Sequence, residues 1–293
     1  MPEFISKLQY KTYEKGEFSD EKSRGLVETL QLIKDFPWDQ QRGVDIQPTG
    51  PSITIQDEYV NYLKVGLYFN GKFCLYYLDN DTHLYEYHAD DLNDVCKRVT
   101  DFFSQQLDLA QFDKHIFNIG SKGHFENGAF DYGLSNQLVY SYLITVGFLL
   151  CVVSFATISL FKVKDMPILV ILLLVFLDLL FYAGSYYLIK IFIKTKDMCI
   201  DISKGKNHFQ FWQNEVLQEY EKENIETLNI YGQTGRSSRV FNLMEIIFKD
   251  GSNLIVPGTL IDPFTLISKL AGVPTKFKGG YFLTSKIFWS FAQ

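Results

Sequence analysis

The chain has 293 residues, of which 47% are hydrophobic and 21% charged, too apolar for disorder and long enough for about two domains. A net charge of -6 excludes a general nucleic-acid binder, and four Cys are too few for a disulfide scaffold. Residues 1–137 hold 13 Lys and Arg against 22 Asp and Glu, whereas residues 194–293 hold 12 against 10, so the N-terminal part is the acidic one.

Residues 1–115 read as a small soluble α+β domain. Ser19 to Asp35 has the spacing of a helix, with Leu26, Val27, Leu30 and Ile33 on one face and Phe36-Pro37 as the stop. Gln40 to Pro51 is rich in Gly and Pro and predicts a loop. About four antiparallel strands follow, beginning with Ser52 to Gln56. Tyr62–Phe69 and Lys72–Leu78 flank Asn70-Gly71, and a two-residue turn there would pair Tyr68 with Phe73 and Leu67 with Cys74. Asp79-Asn80-Asp81 turns the chain into Thr82–His88. Asp90 is placed to cap a helix from Asp91 to about Gln106, whose Leu92, Val95, Cys96, Val99, Phe102 and Phe103 cover a sheet face.

Asp79, Asp81, Asp90, Asp91 and Asp94 are the candidate partner-binding residues, an acidic surface suited to a basic protein partner. Turn chemistry and capping are the competing explanation for the same residues. His83 and His88 lie five apart on one strand and point to opposite faces, the wrong spacing for a shared metal. No metal or cofactor is expected.

Residues 116–137 contain Gly120, Gly123, Gly128 and Gly133 and predict a juxtamembrane linker carrying His124. Leu138–Phe161 then runs 24 positions without a charge, and Ile168–Ile193 runs 26 with only Asp178 and Lys190. At about 1.5 Å per residue either helix exceeds a hydrocarbon core of about 30 Å. Six residues join them, so 138–193 predicts a membrane hairpin with both flanks on one side. Lys190, Lys194, Lys196, Lys204 and Lys206 follow the second span, and the positive-inside rule puts those flanks in the cytoplasm. In a hairpin turning near residue 164, Asp178 is expected level with Cys151. It would face the small residues Gly147, Cys151 and Ser154, bonded to Ser154, or face a second copy of the chain.

Residues 194–275 predict about six antiparallel strands closed by one helix. The strand signals are Met198–Ile202, His208–Trp212, Val216–Tyr220, Thr227–Tyr231, Val240–Lys249 and Asn253–Val256, with Asp250-Gly251 as a second hairpin turn. Asp262-Pro263 opens the helix. Gly232–Arg239 lacks the spacing of a phosphate-binding P-loop, yet Arg236 and Arg239 are candidates for lipid phosphates. The basic aromatic tail 276–293, with Lys276, Lys278 and Trp289, suits either a membrane interface or packing on the domain.

Several of these features carry a resemblance. They are the two-span hairpin, Asp201 after it, Tyr220–Ile225 leading into a strand, Ile246–Gly251, Leu254–Pro257 and the helix from Pro263 to Leu270. Together they resemble bacterial pleckstrin-homology-like membrane proteins. That likeness implies binding of lipid headgroups or proteins at a membrane surface and supplies no site residue.

The N-terminal domain, with its Tyr62–Leu78 hairpin, Asp79–Asp81 turn and acid-capped helix, is similar in style to small toxin-immunity domains. This implies neutralisation of a partner toxin. No catalytic motif is found, so the expectation is a non-enzymatic protein of the bacterial inner membrane that binds a partner through its acidic domain. Sensing lipids or scaffolding at the membrane surface is the alternative, and the hairpin offers a route to homo-oligomers.

Overall fold

The computed structural model describes residues 2–43, 47–116, 122–160, 167–232 and 242–278. It is α+β and divides into two units, one of residues 1–129 with 203–206 and one of 130–202 with 207–293.

The first unit is built on a seven-stranded antiparallel sheet. Its elements are β1 (Phe4–Gln9), β2 (Ser19–Arg24), α1 (Leu26–Asp35), α2 (Trp38–Gln41), β3 (Ser52–Gln56), β4 (Tyr62–Leu67), β5 (Phe73–Leu78), β6 (Leu84–Ala89), α3 (Leu92–Phe103) and β7 (Asp113–Lys114). The strand order is β2-β1-β3-β4-β5-β6-β7. Alternation along the strands separates two faces. Phe4, Leu8, Ile53, Ile55, Leu63, Val65, Phe73 and Leu75 form one core with Ile33 of α1 and Val95, Val99 and Phe102 of α3.

The sheet has three more strands than the sequence pattern predicts. β1 is unheralded, and Ser19–Arg24, read as the start of a helix, is instead an edge strand on β1. Its middle residues are solvent-exposed charges with no apolar period, so pairing decides its conformation. The Asn70-Gly71 turn forms as predicted, with φ of 53° and 82° and Lys72 N–H donating to Phe69 O at 3.0 Å. The register behind it differs: Leu67 faces Phe73 and Gly66 faces Cys74. Tyr68 N–H donates to Lys72 O at 2.9 Å, and this one-residue bulge at Tyr68 shifts the pairing.

Residues 122–128, expected to be linker, pack on the second sheet face. Phe125 is fully buried against Tyr62, Cys74, Tyr76, Leu78 and Leu84. Gly128 N–H donates to Gly16 O at 2.8 Å, and Gly16, at φ 77°, has no room for a Cβ, which would lie 2.7 Å from Gly128 N. The turn Ser203–Lys206 also belongs to this unit. The buried Glu17 carboxylate accepts from Ser203 Oγ at 2.6 Å and from the backbone N–H of Gly205 and Lys206, each at 2.9 Å. Its second oxygen accepts from Glu14 N–H at 3.0 Å.

The second unit holds β8 (Asp131–Gly133), α4 (Asn136–Leu160), α5 (Ile168–Thr195), β9 (Met198–Asp201), β10 (His208–Gln213), β11 (Val216–Glu221), β12 (Ile225–Tyr231), β13 (Leu243–Phe248), β14 (Asn253–Pro257), α6 (Pro263–Lys269) and β15 (Thr275–Lys278). Two four-stranded sheets, ordered β11-β10-β9-β8 and β14-β13-β12-β15, enclose a core of Phe209, Phe211, Leu228, Ile246, Val256 and Leu266. Asp262 caps α6 through Phe264 N–H at 2.9 Å and Thr265 N–H at 3.3 Å. β15 pairs parallel with β12, so Lys276 and Lys278, assigned by the sequence to a tail, belong to a sheet edge. α4 and α5 are long and apolar enough to cross a membrane. Only 6% of either stretch is buried, unlike the core helices of a soluble domain.

Candidate functional sites

The pair of long apolar helices sits inside a β-hairpin. β8 ends three residues before α4, and β9 begins three residues after α5. These two strands pair directly, with Asp131 opposite Asp201, Tyr132 opposite Ile200 and Gly133 opposite Cys199. Asp131–Gly133, expected to be linker, is therefore an edge strand. Its three residues are too few to show alternation, which hid it from sequence reasoning. Ile191 near the end of α5 is buried in the core with Met198 and Ile200, and Leu134 packs against the same core. Leu134, Val139, Tyr142 and Val146 also close around Phe192. The base of the helical pair is thus held by the core of the second unit.

Within the pair, Ser154 Oγ lies 3.0 Å from Tyr182 OH, so Ser154 meets Tyr182 rather than Asp178. The expected small-residue face does not close on α5 either: a Cβ on Gly147 would meet nothing within 4 Å, and Cys151 is exposed. Asp178 Oδ1 and Thr157 Oγ1 are buried with no hydrogen-bond partner among the described residues.

The five aspartates fall into two groups at opposite ends of β6, a strand about 20 Å long. Asp79 accepts from His83 N–H at 2.7 Å and meets His83 Nδ1 at 3.0 Å, closing its own turn, and Asp81 is exposed beside it. At the far end Asp90 pairs with Lys72. Asp91 caps α3 through Asn93 N–H at 2.8 Å and Asp94 N–H at 2.9 Å. Asp94 accepts from Tyr87 OH at 2.8 Å and lies 3.7 Å from Arg98 Nε. Asp90 and Asp91 line an open cleft of about 590 Å³ with Asp39, Lys34, Arg42 and Trp38. Its walls carry both signs of charge.

The sheet face opposite the main core carries buried polar groups that sequence reasoning did not single out. Lys64 is fully buried and donates through Nζ to Gln9 Oε1 and His124 O, both at 2.7 Å. Burial, reinforced by the neighbouring Lys7 ammonium, holds the Lys64 pKa well below the ordinary lysine value. His124 bonds Thr49 Oγ1 through Nδ1 at 2.6 Å. Burial, with Lys15 and Lys64 nearby, brings the His124 pKa down from 6.5 to about 4.

Further along the same face, Cys74 stands directly opposite His88 across β5 and β6. The Glu86 carboxylate receives His88 Nε2 at 2.7 Å on one oxygen and His115 Nε2 at 2.8 Å on the other. Burial alone would raise the Glu86 carboxyl, but hydrogen bonds from His88, His115 and Cys74 hold it below the usual range. Burial pushes the Cys74 thiol up. The pair comes from cross-strand register: with Asp79 opposite His83, counting back brings Cys74 to His88, whereas spacing along one strand hides it.

Of the candidate lipid contacts, Arg236, Arg239 and Trp289 lie outside the described residues. Lys276 and Lys278 are exposed on β15 with Phe277, itself 52% exposed, between them. Lys278 Nζ reaches Tyr231 OH at 3.1 Å.

A PH domain family model matches residues 131–269, from the first residue of β8 to the last of α6, both long helices included. The C-terminal region is therefore PH-like. No curated protein and no solved structure gives a significant match to the chain.

Proposed function

We propose that this is a non-enzymatic integral membrane protein of the bacterial inner membrane, with its soluble parts on the cytoplasmic face, that binds a protein partner there. One observation carries the reading: a PH-like domain whose first two strands pair across a two-helix insertion long enough to span a bilayer. Such a domain is fixed at the membrane surface and does not depend on lipid affinity to stay there. Its PH-like part suits binding or scaffolding, and the acidic N-terminal part supplies the partner surface.

The cleft at Asp90 and Asp91 is the place assigned to that partner, because it combines Trp38 with surface charges whose exposed carboxylates can exchange their present contacts for a partner's basic groups. An immunity or adaptor role fits this arrangement, the partner being a toxin in the first case. A photo-crosslinking residue at Asn93, in the full chain in native membranes, should give one discrete protein adduct. Asp90→Lys with Asp91→Lys should abolish it. Adducts to lipid alone, or a protein adduct indifferent to those changes, would overturn the partner assignment. A second reading, lipid sensing, is favoured by the exposed Lys276-Phe277-Lys278 edge. Crosslinks to anionic lipid from Phe277 would support it.

A further inference from the structure

Three side chains of metal-ligating type converge on one point of the N-terminal sheet, and a fourth, His115, meets the other side of the same carboxylate. Cys74 comes from β5, Glu86 and His88 from β6, and His115 from just beyond β7. One ligand atom each from Cys74, Glu86 and His88 lies within 4.8 Å of the other two. His115 Nε2 reaches the far oxygen of the same carboxylate.

We propose that Cys74, Glu86, His88 and His115 form a site for a transition-metal ion, with Zn²⁺ the best fit. The donor set of one thiolate, one carboxylate and two imidazoles suits zinc and is wrong for Ca²⁺ or Mg²⁺, which take oxygen ligands. A thiolate and a carboxylate also balance the two positive charges of the ion. Zinc bonds of about 2.0–2.3 Å in a tetrahedron place ligand atoms roughly 3.3–3.7 Å apart. His88 Nε2 therefore withdraws from Glu86 by less than about 1 Å to admit the ion, while the His115 ring turns further, from the far oxygen of Glu86, to reach it.

The surroundings hold the ligands. Tyr68 stacks on the His88 ring with centroids 4.1 Å apart, and His115 N–H donates to Leu84 O at 2.9 Å. On binding, the Cys74 S–H bond breaks, sulfur keeps the electron pair and bonds the metal, and one proton leaves to solvent; each imidazole moves its Nε2 proton to Nδ1 through solvent, so that Nε2 offers its lone pair with no net proton change. No oxidant or reductant is needed, and affinity rises with pH. The consequence is structural: the ion fastens His115, and with it the chain leaving β7, to the β5–β6 hairpin.

The alternative is a carboxylate satisfied by three hydrogen-bond donors and no ion. Tag-free full-length protein in detergent, stripped with a chelator, separates the two by titration with Co²⁺ and then Zn²⁺. The site predicts uptake of one equivalent of Co²⁺ with a thiolate-to-cobalt charge-transfer band, displaced by Zn²⁺ and lost in Cys74→Ser. His88→Ala and His115→Ala, both at partly exposed positions, should each weaken Zn²⁺ binding at least about tenfold while circular dichroism stays unchanged. Absence of the band in folded wild-type protein overturns the proposal. So does uptake that neither histidine substitution weakens. None of these readouts depends on the partner reading above.

Discussion

His124 shows how a single side chain ties this protein's stability to pH. Its ring is neutral over most of the acid range because burial, Lys15 and Lys64 disfavour a second positive charge. The unfolded chain protonates it near the ordinary value of 6.5, whereas the folded chain does so only near 4. Between those values the unfolded state binds more protons, so this contribution is present above about pH 6.5 and is lost as the pH falls towards 4. Denaturation midpoints measured with chelator present should fall across that window. His124→Gln, which does not titrate, should flatten the dependence. An equally steep fall in the variant would assign the acid sensitivity to other groups. Nothing in the sequence around His124 announces this, because the burial comes from the folded sheet face and the two ammonium groups, Lys15 and Lys64, lie far away along the chain.

Elements that carry their own period or turn chemistry were legible; those formed by pairing or long-range capture were not. α6 follows from its capping Asp262 and apolar spacing, whereas α3 has the expected apolar spacing but is capped by Asp91 rather than the expected Asp90, which pairs with Lys72. The Asn70-Gly71 turn was readable too, but the bulge at Tyr68 was not, since either register suits the same apolar run. β2, β8 and β15 are short or polar strands placed only by their neighbours. The acidic residues read as one surface divide because two ends of one strand look close in sequence and stand a strand length apart.

Glu17 is the clearest captured element. Its carboxylate organises the turn Ser203–Lys206 by accepting on both oxygens from donors that carry no negative charge of their own. Glu17→Gln keeps the shape but turns an amide NH₂ towards N–H donors in either orientation. Removing acceptor capacity from a buried charged group costs about 2 kcal/mol. The full chain in detergent should unfold at correspondingly lower denaturant, and an unchanged midpoint would mean that water replaces the lost acceptor.

At the scale of the whole molecule, one pairing constrains the route of the chain through a membrane. β8 and β9 are bonded to each other at Tyr132 and Ile200, one on either side of the two long helices. The helices must therefore leave and re-enter the domain at the same membrane face. A single crossing would tear this ladder, and it would also separate Leu134 from the core of Ile191 and Met198 by a bilayer of about 30 Å. An even number of crossings is thus demanded by strand pairing, independently of hydropathy. The proposed cytoplasmic orientation of that face rests on the lysines at the exit of the second helix, although positions 162 and 164, between the two helices, are lysines as well.

Protease sites inserted singly test both statements in cells. One goes between Lys162 and Pro167, the other into the β10–β11 turn at Asn214-Glu215, a surface turn of the kind that tolerates insertion. External protease on intact spheroplasts should cut the first and spare the second until the membrane is permeabilised. Cleavage of the second alone would keep the even crossing and reverse its direction, leaving the lysine argument wrong and the pairing argument intact. Cleavage at both sites from outside would mean that the helices do not cross, and the pair would then have to lie along the surface with its apolar length covered in some other way.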